Sequence, residues 1–181
     1  DWCIGNPLYE KYHDEEWGVP VFDDNTLFEF LILETFQSGL SWITVLRKRE
    51  NFRAAFDNFD YKKVSKYNQE KIDTLLENAG IIRNKLKVKA TITNAQCFMA
   101  IQDEFGSFSK YIWKFTEGKP IKNTFKNMSE IPANTNLSDT ISKDLKKRGF
   151  KFVGTTVIYA HMQATGMVND HIVDCFRYNE V

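Results

Sequence analysis

The sequence of 181 residues has no excess charge of either sign: 24 Lys and Arg stand against 24 Asp and Glu, which argues against a basic protein that coats nucleic acid. It also lacks a long hydrophobic run. The longest, around Leu27 to Phe36, is broken by Glu29 and Glu34 and falls far short of the roughly 20 apolar residues that a bilayer span needs, so no membrane helix and no membrane partner is expected. The start, Asp1-Trp2-Cys3-Ile4-Gly5, has neither the basic stretch nor the apolar run of a secretory signal, which makes a cytoplasmic chain the expectation. Cysteine is scarce. Three of them, odd in number and far apart, do not form the disulfide framework of a small secreted scaffold, and reduced thiols or metal ligands are the remaining readings. Internal repeats, low-complexity segments and long linkers are missing as well, so residues 1–181 read as a single domain. A globule of this size buries roughly 70% of the surface its unfolded chain exposes. With 43% hydrophobic and 27% charged residues, dominant disorder or a collagen-like repeat is excluded.

Aromatic residues, in contrast, are plentiful. Fifteen Phe, seven Tyr and four Trp suffice for an aromatic-walled pocket as well as a core. Nearly every segment runs at helical period. After a capping stretch Asp23-Asp24-Asn25, the residues Leu27, Phe28, Phe30, Leu31, Ile32, Leu33 and Phe36 surround the axis, which predicts a buried helix ending near Gly39. Further helices are predicted over Ser41 to Phe56, Asn68 to Asn78 with Gly80 as its stop, Asn84 to Glu104 closed by Gly106, Phe108 to Phe115, Ser138 (as cap) to Arg148, and Thr155 to Thr165. Pro132 to Asn136 reads as a loop, and no alternating strand of useful length is present, so the fold class is all-α.

Three features carry chemistry. Cys3 and His13 near the start, with His171 and Cys175 near the end, make up the Cys₂His₂ set that tetrahedral zinc favours in closed structural sites. His171 and Cys175 stand one helical turn apart, so both could face one ion; the alternative is four unrelated core or surface residues. Cys97, on a helix with a strong apolar face, reads as a small core residue. Glu34 lies on the same stripe as Leu27, Phe30 and Leu31 of a helix that is apolar nearly all round. A buried carboxylate needs a partner or a function. It is either one half of an ion pair with a nearby Lys or Arg, or an acid at the floor of a pocket that Tyr9, Tyr12, Trp17 and Trp42 could line. The third feature is the basic segment Leu145 to Thr156, in which Gly149 and Gly154 bracket a short hairpin running directly into a helix N-terminus. Free backbone N–H groups there would bind a phosphate; a solvated basic helix end is the alternative.

With those residues in view, the chain resembles the 3-methyladenine DNA glycosylase I family, a bacterial group of the helix-hairpin-helix DNA glycosylase superfamily. The resemblance spans practically the whole chain. Its motifs are Pro7-Leu8-Tyr9, Tyr12-His13-Asp14, Glu16-Trp17-Gly18-Val19-Pro20, Leu33-Glu34, Gly39-Leu40-Ser41-Trp42-Ile43-Thr44-Val45-Leu46, Ala79-Gly80-Ile81-Ile82-Arg83, Lys146 to Thr156, and Val168-Asn169-Asp170-His171 with Cys175.

The resemblance implies a compact helical bundle with a lesion pocket in a cleft. It makes Cys3, His13, His171 and Cys175 ligands of one structural Zn²⁺ joining the two ends of the chain, Glu34 the residue that reads the excised base, and Tyr12 and Trp42 its stacking partners, with Tyr9 and Trp17 beside them. Gly39 and Leu40 fall on the loop pushed into the DNA stack, and Gly149, Lys151, Gly154 and Thr155 on the backbone anchor. The implied partner is double-stranded DNA containing 3-methyladenine, hydrolysed at its N-glycosidic bond by a monomer without a lyase step. Two departures are visible. Family members often carry an aromatic residue two positions after the first zinc cysteine, where this chain has Cys3-Ile4-Gly5, so one stacking wall is either missing or supplied by Trp2. Many superfamily enzymes keep an essential Asp just before the His of the last motif, where this chain has Asn169, and Asp170 is given no catalytic role. Rival classes are a non-catalytic lesion-binding protein, a zinc-stapled interaction module, and a glycosylase with a broader alkylpurine range.

Charge is also segregated. Residues 1 to 24 hold seven acids against Lys11 alone, so the remainder is basic by the same margin. Its cations gather at Arg83, Lys85, Lys87 and Lys89 and at Lys143 to Lys151, which gives a neutral chain a positive face.

Overall fold

The computed structural model describes residues 2–181, and the chain is helical with a minimal sheet. Among the described residues the ten α-helices are α1 Pro7–Glu15, α2 Asp24–Gln37, α3 Trp42–Leu46, α4 Arg49–Ala55, α5 Tyr61–Val64, α6 Gln69–Glu77, α7 Lys85–Phe105, α8 Phe108–Trp113, α9 Asn136–Lys147 and α10 Thr155–Ala164. Two two-residue strands, β1 Ile121–Lys122 and β2 Val168–Asn169, pair in parallel, Ile121 against Val168. Among the described residues no helix is long and apolar enough to cross a membrane.

Helix α2 is the axis of the fold. Asp23 caps it by accepting from the backbone N–H and the hydroxyl of Thr26, and every residue from Leu27 to Phe36 is buried. A helix without a polar face must be covered all round; α3, α7, α8 and α10 do so. The main core contains Phe28, Phe36, Phe52, Phe56, Phe98 and Phe108, all fully buried, each worth about 1.5–3 kcal/mol by removal from water. Helix α7 crosses it and ends at Gly106 in the left-handed region. A second, smaller cluster of Tyr12, Phe30, Leu46 and Ala164 lies where α1 packs on this frame, with Trp2, Tyr9, Trp17 and Trp42 at its edge.

Several boundaries differ from the periodicity. The predicted helix Ser41 to Phe56 is two helices. The break is one tight turn in which Lys48 N donates to Val45 O, and Lys48 Nζ ties it to the carbonyls of Ala79 and Gly80. The buried stripe Val45, Leu46, Arg49 and Phe52 continues across the turn, so the apolar pattern carries no trace of it. Thr135, and not Ser138, is the N-cap of α9; Ser138 is the third helical residue and completes a reciprocal capping box with Thr135. Helices α1 and α5 and both strands are additions to the predicted elements. His171 to Cys175 is a turn segment instead of a helical turn.

Candidate active site

Glu34 sits on the part of α2 that the small aromatic cluster covers. It is 4% exposed, and its carboxylate has no hydrogen-bond partner among the described residues. The ion pair that a buried acid on α2 called for goes to Glu29 instead. Arg49 Nε donates to Glu29 Oε1 at 2.7 Å and Arg53 Nη2 donates to the same oxygen at 2.8 Å, while Arg49 Nη1 reaches Glu16 Oε2 at 2.6 Å. Five residues apart on a helix, the two acids face different neighbours. Glu29 meets α4, and Glu34 meets a cavity. Burial alone pushes the Glu34 carboxyl up to about 8, because no compensating charge or donor favours the ionised form.

That cavity, about 220 Å³, is lined by Glu34 together with Trp2, Tyr9, Tyr12, Trp17 and Trp42, and by Gln37, Met128, Ile131, Ala160 and Gln163. The Tyr12 and Trp42 rings lie 5.3 Å apart, and Trp2 packs edge-on against Tyr9 at 4.6 Å and Trp17 at 5.5 Å. All four predicted aromatics therefore meet Glu34, and Trp2 stands in the wall that the Cys3-Ile4-Gly5 segment left open. Trp42 Nε1 is buried without an acceptor. An unpaired carboxyl on an aromatic pocket suits a ligand with a flat ring and a polar edge. Met128, Ile131 and Gln163 had no signal in the sequence. Met128 and Ile131 belong to a stretch without periodicity, and Gln163 is brought in by the packing of α10.

A second cavity, about 480 Å³, shares Trp2, Trp17 and Met128 with the first and contains Cys3, His13, His171 and Cys175. The ligand atoms of His13, His171 and Cys175 lie within 4.8 Å of one another; Cys3 is buried in the same cavity but outside that trio. His13 Nδ1 donates to Asp14 at 2.7 Å and His171 Nδ1 donates to Asn169 Oδ1 at 3.1 Å, so in each ring Nε2 is the nitrogen left to ligate a metal. His171 Nε2 is buried without a partner, and His13 Nε2 stands 3.6 Å from Cys175 Sγ. Tetrahedral zinc with ordinary bond lengths separates such an N and S by about 3.5 Å. The residues thus fit a metal, and they pack directly on the first pocket: the His171 ring is 4.7 Å from Trp17 and the His13 ring 5.4 Å from Trp2. Gly18 is required here. Its φ is +82°, and a Cβ would meet His171 Cε1 at 2.7 Å.

Asp170 is a structural carboxylate. It is 1% exposed and accepts from Asn123 Nδ2, Tyr159 Oη and Gln163 Nε2, which leaves it unavailable to a substrate. Asn169 has a role that the sequence did not suggest: besides orienting His171, its amide donates to the carbonyls of Tyr178 and Val181 and fastens the end of the chain.

The loop between α2 and α3 carries Gly39, in the left-handed region, and an exposed Leu40. Gln37 Nε2, from the pocket, donates to Leu40 O. Lys87 of α7 supports this loop and does not join a basic surface cluster. It is 6% exposed, and its ammonium donates to the carbonyls of Phe36 and Ser38 at 2.9 and 2.7 Å, capping α2. On α10, Gly154 is the N-cap and offers no side chain, so no side chain caps the first N–H groups of the helix. The hairpin before it is held by Asn94, which donates to Lys151 O and accepts from Lys151 N, and by Ser142, which donates to Val153 O. Gly149 has φ +98°, and a Cβ there would stand 3.2 Å from Cys97 Sγ. Cys97 lies at the edge of the core, as expected.

The chain is similar to known proteins over nearly its whole length. A family model described as methyladenine glycosylase matches residues 2–178. DNA-3-methyladenine glycosylase 1 of Escherichia coli (strain K12) is 49% identical over 177 residues, 98% of this chain and 95% of that protein. A crystal structure of 3-methyladenine DNA glycosylase I superposes with a TM-score of 0.95 at 49% identity, covering 97% of each chain. A variant of 3-methyladenine DNA glycosylase I in complex with 3-methyladenine superposes with a TM-score of 0.94 at 34% identity, over 97% of this chain and 94% of that one. The chain belongs to the methyladenine glycosylase family.

Proposed function

We propose that the chain is a base-excision DNA glycosylase that hydrolyses the N-glycosidic bond of 3-methyladenine in alkylated double-stranded DNA, acting as a monomer of one domain. The observation that carries this reading is the partnerless Glu34 carboxyl at the floor of an aromatic pocket. Names of the related proteins point to the same base.

The chemistry follows from the charge of the lesion. Methylation at N3 makes the base of the nucleotide cationic, and a cationic base is already a good leaving group. Once the nucleotide is flipped from the duplex, Tyr12 and Trp42 hold the ring by π contacts that strengthen for a cation, with Tyr9, Trp17 and Trp2 closing the wall. Glu34, its carboxyl pushed up to about 8 by burial in the free pocket, gives its proton to solvent as the cation arrives, and the carboxylate accepts hydrogen bonds from the base edge. A neutral purine supplies no charge to ionise it, which favours the alkylated base. The C1′–N9 bond breaks with its electron pair moving to the base, the sugar passes through an oxocarbenium-like state, and water adds at C1′ and releases a proton. The products are free 3-methyladenine and an abasic site. No lysine lines the pocket, so no Schiff base and no strand cleavage is expected.

Leu40, presented by Gly39, is read as the wedge in the base stack. The unit α9, hairpin, α10 is read as the helix-hairpin-helix anchor of that superfamily, with Gly149, Lys151, Gly154 and Thr155 receiving a backbone phosphate. Cys3, His13, His171 and Cys175 would hold one Zn²⁺ as a structural tie, supplying rigidity to the pocket wall and no chemistry to the reaction. A cytoplasmic location fits this role.

The test is incubation with methylated duplex DNA and chromatography of the freed bases. Release of 3-methyladenine with accumulation of abasic sites is expected, and Glu34→Gln should abolish release while still binding duplex. Wild-type rates in that variant would overturn the role of Glu34. Binding without any base release would identify a non-catalytic lesion-binding protein.

A further inference from the structure

Helix α7 touches both elements that the proposed function places on DNA. Lys87, in its first turns, caps the α2 end from which the Leu40 loop departs, and Asn94 holds the hairpin at Lys151. These two contacts are seven residues apart, about 10 Å along the helix axis. Between them lies an open groove of about 350 Å³ lined by Leu86, Lys89, Ala90, Thr93, Lys151 and Phe152.

The groove has features that folding does not explain. Leu86 is 68% exposed and Phe152 38% exposed. Phe152 is held at φ +57°, a left-handed conformation that costs a bulky side chain roughly 1–2 kcal/mol. Lys85 opens α7, whose first turn has no acidic residue and where the positive end of the helix dipole disfavours cations, and Lys89 follows one turn later. Lys85, Lys89 and Lys151 are exposed, and among the described residues none of them pairs with a carboxylate. Two cations over an apolar floor, between a wedge and a phosphate anchor, match an anionic polymer whose phosphates alternate with apolar sugar faces.

We infer that the groove between α7 and the hairpin is a second DNA-docking surface, which takes the sugar–phosphate backbone running from the wedge to the anchor. Lys89 contacts a phosphate beyond the one that Lys151 and the anchor receive, and Leu86 and Phe152 pack on deoxyribose. At about 3.4 Å of axis per nucleotide, the 10 Å span accommodates roughly three nucleotides. The inference rests on the glycosylase reading and extends it from the lesion pocket to the flanking duplex.

The experiment measures fluorescence anisotropy of a duplex carrying an abasic-site analogue over a range of salt concentrations, with single-turnover release of 3-methyladenine, for wild type, Lys89→Gln, Leu86→Ser and the exposed control Lys62→Gln. Lys89→Gln should weaken duplex binding roughly three- to tenfold and reduce the salt slope by about one. Leu86→Ser should weaken it with the slope unchanged. Both should keep the wild-type melting temperature, the wild-type release rate at saturating enzyme and wild-type affinity for free 3-methyladenine. A wild type that binds and excises, with both variants indistinguishable from it, overturns the groove alone. A wild type that neither binds nor excises overturns the glycosylase reading and the groove with it. A dimer in sedimentation that Leu86→Ser dissociates, at unchanged duplex affinity, would assign the face to a second copy of the chain instead.

Discussion

Glu29 and Glu34 show how two residues of one type on one buried helix acquire opposite properties. Glu29 is surrounded by guanidinium groups of Arg49 and Arg53, whereas Glu34 faces a largely aromatic cavity with no cation in its lining, and burial pushes its carboxyl up to about 8. This has a consequence for stability. An unfolded chain gives up the Glu34 proton near the ordinary glutamate value, and the folded chain retains it to about 8. The folded state therefore binds more protons across that window, and stability falls as pH rises from the ordinary value to about 8 and then levels. The cost approaches several kcal/mol at its upper bound, at about 1.4 kcal/mol for each tenfold difference. Glu34→Gln lacks this loss. Thermal melting at pH 5 and pH 8.5 should show the variant gaining on wild type at the higher pH, and parallel curves would contradict a buried, unpaired acid.

At the scale of elements, the hairpin between α9 and α10 depends on a backbone conformation and on a neighbour. Gly149 needs its positive φ and has Cys97 Sγ where a Cβ would go. Gly149→Ala should cost about 1–2 kcal/mol, shift the hairpin against Asn94, and weaken duplex binding. Affinity for free 3-methyladenine, measured by calorimetry, should stay unchanged because no hairpin residue lines the pocket, whose α10 contributions, Ala160 and Gln163, stand in the later turns of that helix. Reduced affinity for the free base would show that hairpin and pocket are one mechanical unit. Element types were legible because the apolar positions of α2, α6, α7 and α10 recur at helical period and Gly106 and Gly149 stand as stops. The break between α3 and α4 was not, because Lys48 acts through carbonyls about thirty residues away.

At the scale of the whole molecule, the two ends of the chain meet at His13, His171 and Cys175, beside the aromatic wall of the pocket. A metal there would hold together segments that otherwise share few covalent constraints. Metal analysis of protein never exposed to chelator should give zinc near one per chain. Cys175→Ser should lower the melting temperature, by about 2–4 °C for each kcal/mol lost in a domain of this size, with a smaller effect on single-turnover base release at low temperature. Equal melting of variant and wild type would argue against the terminal tie.

The sequence by itself determined the helical class, the buried course of α2 and the supply of aromatic residues for a pocket, since periodicity and capping are properties of the chain read in line; for Cys3, His13, His171 and Cys175 it left a metal set and unrelated residues both open. Only the tertiary structure decided which acid of α2 meets the arginines and which faces the cavity, that Lys87 caps a helix end instead of joining a positive surface, that Trp2, Met128 and Gln163 enter the pocket, and that α7 bridges wedge loop and hairpin. Those outcomes depend on distances between residues remote in sequence, where burial without a partner, and not residue type, sets the chemistry.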